Sequence, residues 1–427
     1  MRTFLILWLG QLVSTIGSYM TEFALSLWVW DLTQSATAMA LMGFFSQLAR
    51  IPITLIAGVI VDRFSRKRLM LLGDTVAAVS TLIILLLLWR GHLQIWHLYG
   101  LAMLNGGFGQ IQQLAYSASV SLLVSPAQYT RANSLNSGIH YGSIIFAPAL
   151  AGLLYPAIGL VGISLVDLAS FGVAIATLLT CAIPRPSPSS AVALPRFKEQ
   201  LSLGFRYIWQ RPYLQTVLLI SSLFWFFHDL GGALYDPMIL ARTNGDARIL
   251  GSVASAAGLG GVTGACLLSL WGGPKRATTG MVAGYMGAGI CKTLFGLGQS
   301  IAIWLPAQFG SSLNFPLLGS SEQTIWMSNT APEVQGRVFA AKSLVLQGVS
   351  AIALLTAGPL AEHLFEPALV SLNAISLPLV PLLGTSHEAS LSLLYVLAAL
   401  AMLITGLSGY TVLGKHPLQS QKNMGHD

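Results

Sequence analysis

Long apolar stretches, each interrupted by a few polar or helix-breaking residues, recur along the whole chain. Twelve are long enough to cross a bilayer as a helix, which takes about 20 residues: 4–30, 37–61, 69–89, 96–116, 132–155, 159–183, 213–240, 248–271, 278–298, 301–328, 338–361 and 389–413. The pattern predicts an all-α integral membrane protein, because backbone groups inside lipid must be satisfied within each spanning helix. The first run opens at Phe4 behind a single Arg2. It is too long for the apolar core of a secretion signal and is expected to be retained as a span.

The pattern breaks once near the middle. CAIPRPSPSSAVALPRFKEQ (181–200) is rich in Pro and Ser, and FKEQLSLGFRYIWQRP after it is amphipathic and basic, as expected of a segment lying on the membrane surface. The expected organisation is a six-helix bundle over 1–183, a cytoplasmic linker over 184–212, a second six-helix bundle over 213–413, and a cytoplasmic tail over 414–427. The halves echo each other. SPAQYTRANS (125–134) follows span four and APEVQGRVFA (331–340) follows span ten, each with a Pro five residues before an Arg. A Pro then recurs within the next span, at Pro148 and Pro359. Two related halves point to a transporter of the internal-repeat kind, with its site where the repeats meet.

Composition agrees. Hydrophobic residues make up 54% of 427 positions and charged residues 9%, against about 25% charged in a soluble protein. The few charges are placed unevenly. Arg2, the cluster at 62–68, Arg131, Arg185 to Arg211, Lys275, Arg276, Arg337 and Lys415 share one side of the predicted topology, and Arg90, Arg242 and Arg248 the other. The positive-inside rule puts the first set, and both termini, in the cytoplasm. Cys181, Cys266 and Cys291 are far apart in apolar runs and read as small packing residues.

Five of the seven residues from Asp62 to Arg68 in GVIVDRFSRKR (58–68) are charged. This stretch resembles the loop between helices two and three of the major facilitator superfamily, with Gly58 four residues before Asp62-Arg63 and a basic cluster after it. LVSPAQYTRANSLN, SLVDLASFGVAIA, APEVQGRVFAAKSL and the basic segment before span seven resemble its macrolide-efflux and enterobactin-exporter-like branch. The resemblance covers nearly the whole chain and implies the twelve-helix, two-bundle major facilitator fold. Antiporters of the superfamily usually carry Gly-Pro in helix five. Here the pair is Ala147-Pro148, and Gly-Pro appears instead as Gly358-Pro359 in span eleven. Asp62 ends a helix, where the dipole disfavours an anion. The resemblance implies a partner for it at the start of span eleven, Arg337-Val338, forming a cytoplasmic gate that Arg63, Arg66 and Asp74 complete.

Polar residues line up on four spans. Gln11, Ser14, Ser18 and Glu22 share a face of span one, and Asn105, Gly109, Gln112 and Tyr116 a face of span four. Span seven offers Ser222, Trp225, Asp229, Gly232 and Asp236, with His228 beside Asp229, and span ten Ser312, Gly319, Gln323 and Trp326. Such stripes face protein or water rather than lipid tails, and small and polar residues also serve as helix–helix glue. In the resembled fold these four helices line the central cavity, which makes Gln11, Ser18, Asn105, Gln112, Tyr116, Trp225, His228, Gln323 and Trp326 candidate substrate contacts. Glu22 and Arg50 can pair across neighbouring helices, and Asp229 can exchange a proton as its surroundings change. These three are the candidates for charge coupling. Asp167 and Lys292 fall on spans expected at the periphery, and Asp236 beside Pro237 reads as a helix-end residue.

The chain carries no nucleophile elbow, zinc-protease or P-loop motif, so no catalytic residue, metal or cofactor is expected. The leading expectation is a proton-coupled exporter of hydrophobic or amphipathic compounds in a bacterial inner membrane. Its expected partners are the bilayer, a small-molecule substrate and protons, without nucleic acid, and it is expected to act as a monomer. Uptake or facilitated diffusion of a small metabolite or lysolipid, and a non-transporting receptor or scaffold, stand as alternatives. The apolar segment from Glu362 to Glu388 has no predicted role.

Overall fold

The computed structural model describes residues 1–125, 128–181, 197–371 and 386–413. Among them every regular element is helical. The predicted linker is therefore described only from residue 197. Residues 372–385 of the apolar segment and the tail 414–427 lie outside the described residues, as do the surroundings of Gly58 and the side chain of Asp62.

The first four spans are α1 (Arg2–Thr33), α2 (Ala36–Arg63), α3 (Arg66–Trp89) and α4 (Ile95–Leu123). Gln34 adopts a left-handed φ of 48° and ends α1. Ser35 then starts α2 by accepting the Ala38 N–H at 3.1 Å, the usual role of a serine before a helix. Spans five and six run together as α5 (Tyr129–Thr180), 52 residues long. At 1.5 Å per residue that is about 78 Å, more than twice the hydrocarbon thickness. Gly159, at φ 60° and ψ −169°, breaks it into two crossings, in a conformation that side chains exclude.

A short amphipathic helix, α6 (Phe197–Trp209), buries Ile208 and exposes Arg206 and Trp209. Then come α7 (Pro212–Arg242), α8 (Ala247–Trp271) and α9 (Ala277–Leu297). Predicted span ten is two helices, α10 (Ile301–Leu313) and α11 (Phe315–Ser328), interrupted at Asn314. Pro316 in the first turn of α11 lacks the N–H that a continuous helix needs there. Next, α12 (Gln335–Pro359) passes into a π-helical turn, Leu360–Phe365, followed by α13 (Glu366–Ser371) and α14 (Ser386–Leu413).

Eight described helical stretches are long and apolar enough, by length and composition, to cross a membrane. Their faces are inverted relative to a soluble protein. On α3, Leu72, Val79, Leu82 and Leu86 are exposed, whereas Asp74, Ser80 and Thr81 are buried. That distribution suits a hydrocarbon surround, in which polar groups turn towards protein.

Contacts divide the chain into two compact units. The first comprises Met1–Ser190, Ala233–Gly258 and Ala357–Leu364, so it includes parts of α7, α8 and the π-helical turn. Leu7, Met70, Ile111, Ala115 and Leu178 belong to its core. The second comprises Ala191–Gly232, Leu259–Thr356 and Phe365–Asp427, with Phe224, Tyr285, Leu318, Trp326 and Val338 in its core.

Candidate functional site

In the first unit, two clusters of charge are built on α1. Near its middle, Glu22 faces Arg50 of α2, with Tyr19 one turn away. Asp236 of α7, in the same unit, lies in the field of Glu22. Glu22 and Arg50 are both exposed, although each sits well inside a membrane-spanning helix and among charged neighbours. An ionised side chain turned to lipid at that depth costs about 2.5–3.5 kcal/mol. Open space beside three convergent helices is therefore best read as water. Among the described residues Lys342 pairs directly with Glu322 at 2.7 Å, and His387 Nδ1 lies 3.0 Å from Glu366 Oε2. The expected Glu22–Arg50 pair thus acts at longer range than a contact, which leaves both groups accessible. Asp236, read from the sequence as a helix-end residue, belongs to this group.

The second cluster surrounds Asp74. Its Oδ2 accepts from Gln11 Nε2 at 3.4 Å and its Oδ1 from Gln112 Nε2, while Gln112 Nε2 also lies 3.4 Å from Gln11 Oε1. Asp74 is 1% exposed and Gln11 7%. This corrects two expectations. Gln11 turns inward to a carboxylate instead of lining open space. Asp74 does not join Arg63 and Arg66: Arg66 donates to the Ala118 carbonyl at 2.6 Å, and Arg63 is exposed. Lys67 donates to the carbonyls of Leu179 and Cys181, both at 2.8 Å. The basic loop thus neutralises carbonyls at the ends of α4 and α5, where the dipole favours cations.

Ser18 is likewise drawn into packing. It lies 3.5 Å from Asp167, a 2%-exposed carboxylate that also accepts from Thr81 at 3.1 Å. Asn105 is exposed and accepts from Ser80 at 2.9 Å, and Tyr116 donates to Asn136 at 2.7 Å. Of the stripes on α1 and α4, Glu22 and Asn105 are exposed, Gln112 and Tyr116 are half-buried, and Gln11 and Ser18 bridge helices.

In the second unit, Trp225 and His228 of α7 meet Phe315 at the α10–α11 break. His228 is 4.9 Å from the Phe315 ring and 5.2 Å from that of Trp225, between ring centroids. Asp229 accepts a hydrogen bond from Ser350 and faces Lys292. Lys292 is 5% exposed, with its Nζ 5.6 Å from the Tyr395 ring. It does not sit at the lipid periphery, as the sequence suggested. Gln323 is exposed, but Trp326 is fully buried beneath Lys342, whose Nζ lies 5.3 Å from the ring. Trp326 is therefore a core residue and lines no open surface. Lys342 makes an ion pair with Glu322 at 2.7 Å, and the Tyr285 hydroxyl lies 3.4 Å from Glu322 and 3.2 Å from Ser221. Arg337 is half-buried in the first turn of α12. Its expected partner Asp62 lies outside the described side chains.

One further contact was not anticipated. Glu362, in the π-helical turn and within the first unit, accepts from Ser35 Oγ at 2.9 Å, Thr37 N at 3.1 Å and Thr37 Oγ1 at 2.6 Å. A carboxylate there complements the positive end of α2. Gly358 packs directly on the Thr37 backbone, where a Cβ would not fit.

Comparison with known proteins places these features in a lineage. A family model described as "Transmembrane secretion effector" matches residues 1–301. Macrolide efflux protein A of Streptococcus pyogenes is 24% identical over 365 residues, 84% of this chain and 90% of that protein. Its namesake from Enterococcus faecalis is 25% identical over 306 residues, covering 71% and 93% respectively. Among solved structures, a bacterial homolog of the human lysosomal transporter Spinster, inward-facing and occupied, superposes with a TM-score of 0.70 at 15% identity. That alignment covers 99% of this chain and 98% of the other, and speaks to the fold.

Proposed function

Since the chain belongs to the transmembrane secretion effector family of major facilitator transporters, we propose that it exports hydrophobic or amphipathic small molecules, macrolides among them, by alternating access coupled to protons. The observation that carries this reading is the exposed pair of opposite charges, Glu22 and Arg50, inside membrane-spanning helices. A scaffold or receptor needs no wetted charge there, whereas a transporter needs groups that substrate and protons can reach in turn. The rings of Trp225, His228 and Phe315 supply apolar and aromatic surface in the second unit, suited to a large, partly apolar ligand. The two macrolide efflux relatives, covered over most of their length, support the same substrate class.

In this cycle Glu22 and Asp229 take up and release protons, and their protonation biases which side the binding residues face. A ligand or proton shifts such an equilibrium only through different affinity for the two states. Asp62, near the end of α2, has the role of keeping the cytoplasmic side closed until substrate or proton binds. The protein works as a monomer in the bacterial inner membrane, with both termini in the cytoplasm.

The test is accumulation of erythromycin, ethidium and rhodamine in cells with and without the protein, repeated with an uncoupler. Lower accumulation that the uncoupler abolishes is the expected result, and higher accumulation would reverse the direction to uptake. Asp229→Asn and Glu22→Gln are each expected to reduce substrate-driven proton movement in vesicles by at least tenfold. Unchanged movement in both removes them from coupling. Asp62→Asn is expected to insert normally and to transport poorly, and normal transport would reduce GVIVDRFSRKR to a topological anchor.

A further inference from the structure

Each unit holds a polar cluster on the first, third and fourth spans of its half, with the carboxylate on the third span in one and on the fourth in the other. Gln11 is the tenth residue of α1 and Ser221 the tenth of α7. Asp74 is the ninth residue of α3 and Tyr285 the ninth of α9. Gln112 on α4 and Glu322 on α11 complete the two sets, each drawn from the first, third and fourth spans of its own half. Each set centres on one buried carboxylate. In the second unit that carboxylate, Glu322, has Lys342 at 2.7 Å. In the first unit, Asp74 has only the side-chain amides of Gln11 and Gln112.

Among the described residues, the surroundings of Asp74 supply no cation. From α1 it meets Gln11 and from α4 Gln112, and no charged side chain is found acting on it among the described residues. Arg66, two turns earlier on α3, is committed to the Ala118 carbonyl. Tyr116, one turn beyond Gln112, is committed to Asn136. Leu7, Met70, Ile111 and Ala115 form part of the apolar core of the same unit. A 1%-exposed carboxylate with two neutral donors lacks the counter-charge that keeps a buried ion affordable.

Glutamine partners suit a group that changes protonation. When the carboxyl is ionised, both amide NH2 groups donate to it, as drawn in this structure. When it is protonated, its O–H can donate to Gln11 Oε1 after an amide rotation, because each glutamine is both donor and acceptor. The carboxyl stays paired in both states, and the rotation gives up only the 3.4 Å contact of Gln112 Nε2 with Gln11 Oε1. A lysine in place of either glutamine would favour the ionised state alone, which is the arrangement around Glu322.

We propose that Asp74 is a proton-binding site of the first unit, held between Gln11 and Gln112, whereas its counterpart in the second unit, Glu322, is held in an ion pair with Lys342. Half-buried Gln112 links Asp74 to open space, so the proton can be exchanged during the cycle. That last step rests on the proton coupling proposed above; the binding site itself does not.

Infrared difference spectra of the purified full-length protein in lipid nanodiscs, recorded between acidic and mildly alkaline pH, read the site without any ligand. The expected spectrum contains a protonated-carboxyl C=O band that disappears in Asp74→Asn and returns, shifted, in Asp74→Glu. Gln112→Lys is expected to abolish the band while leaving the carboxylate in place, which separates protonation from mere presence of the side chain. Melting temperatures of the three variants serve as the check on folding. A wild-type spectrum without the band, or one unchanged in Asp74→Asn, overturns the site. In vesicles, erythromycin-driven proton movement is expected to fall at least tenfold in Asp74→Asn and to recover in Asp74→Glu. If wild-type vesicles move no protons while the band behaves as expected, proton coupling falls and Asp74 remains a proton-binding site. Full proton movement in Asp74→Asn overturns its part in transport.

Discussion

Replacing Lys342 by methionine is expected to destabilise the protein by about 3–5 kcal/mol. The lysine holds Glu322 at 2.7 Å, and the carboxylate side chain is only 6% exposed. Removing the cation leaves a buried anion whose remaining neighbour is the Tyr285 hydroxyl at 3.4 Å. The penalty comes from that stranded charge more than from the lost attraction, since burying an unpaired ion costs several kcal/mol. The double variant Glu322→Gln/Lys342→Met, which strands nothing, should therefore be more stable than Lys342→Met alone. Thermal unfolding in detergent measures both. The single variant should lose on the order of 10 °C, and the double variant should regain most of it. If the two variants melt together, the pair contributes no such coupling. Glu322→Gln alone should be milder, because Lys342 can extend along its apolar stem towards solvent and still lies near the Trp326 ring.

The membrane fold was legible because lipid imposes the same demand on every crossing. The two places where helix boundaries differ from the predicted spans have local causes. Gly159, in a non-helical conformation, separates two helices that abut with no loop between them, and Asn314 with Pro316 divides one crossing into two helices. The polar stripes were legible as stripes, but their targets were not. Helical spacing shows that Gln11, Ser18 and Glu22 share a face. It cannot show that Gln11 meets Asp74, that Ser18 meets Asp167, or that Glu22 alone stays open. Gln323 and Trp326 lie about 60° apart on an ideal helix, enough for one to be exposed and the other to fill the core. Lys292 looked solitary because Asp229 and Tyr395 come from distant spans. Glu322 and Lys342 were visible as charges in apolar runs, and a search for opposite charges on neighbouring spans would have paired them. Glu362 left no such trace, since its partners lie more than 300 residues earlier in the chain.

Glu362→Ala is expected to release the π-helical turn from α2 and to shift the balance between closed and open forms of that contact by roughly 100-fold. Three hydrogen bonds to an ionised acceptor contribute about 1.5–3 kcal/mol each when independent. Sharing one carboxylate, they are not additive, and a net loss of about 3 kcal/mol corresponds to two factors of ten. Glu362→Gln keeps an acceptor for Ser35 and the Thr37 N–H but turns an NH2 towards the Thr37 hydroxyl, so roughly tenfold is expected. Ala361, fully buried beside this contact, supplies the reporter. In a chain without its native cysteines, Ala361→Cys should react with a membrane-impermeant thiol reagent at a rate set by the open fraction. An unchanged rate in Glu362→Ala would make the contact incidental. The same helix allows a sharper comparison, because Thr37 lies near the start of α2 and Asp62 near its end. If Asp62 closes the cytoplasmic side, as proposed, and the Glu362 contact closes the opposite side, the two cannot both be open in one cycle, so weakening one favours the state held by the other. Glu362→Ala should therefore raise Ala361→Cys labelling and Asp62→Asn should lower it. The combination of the two should fall between them. If both substitutions moved labelling in the same direction, the two ends of α2 would not belong to one switch.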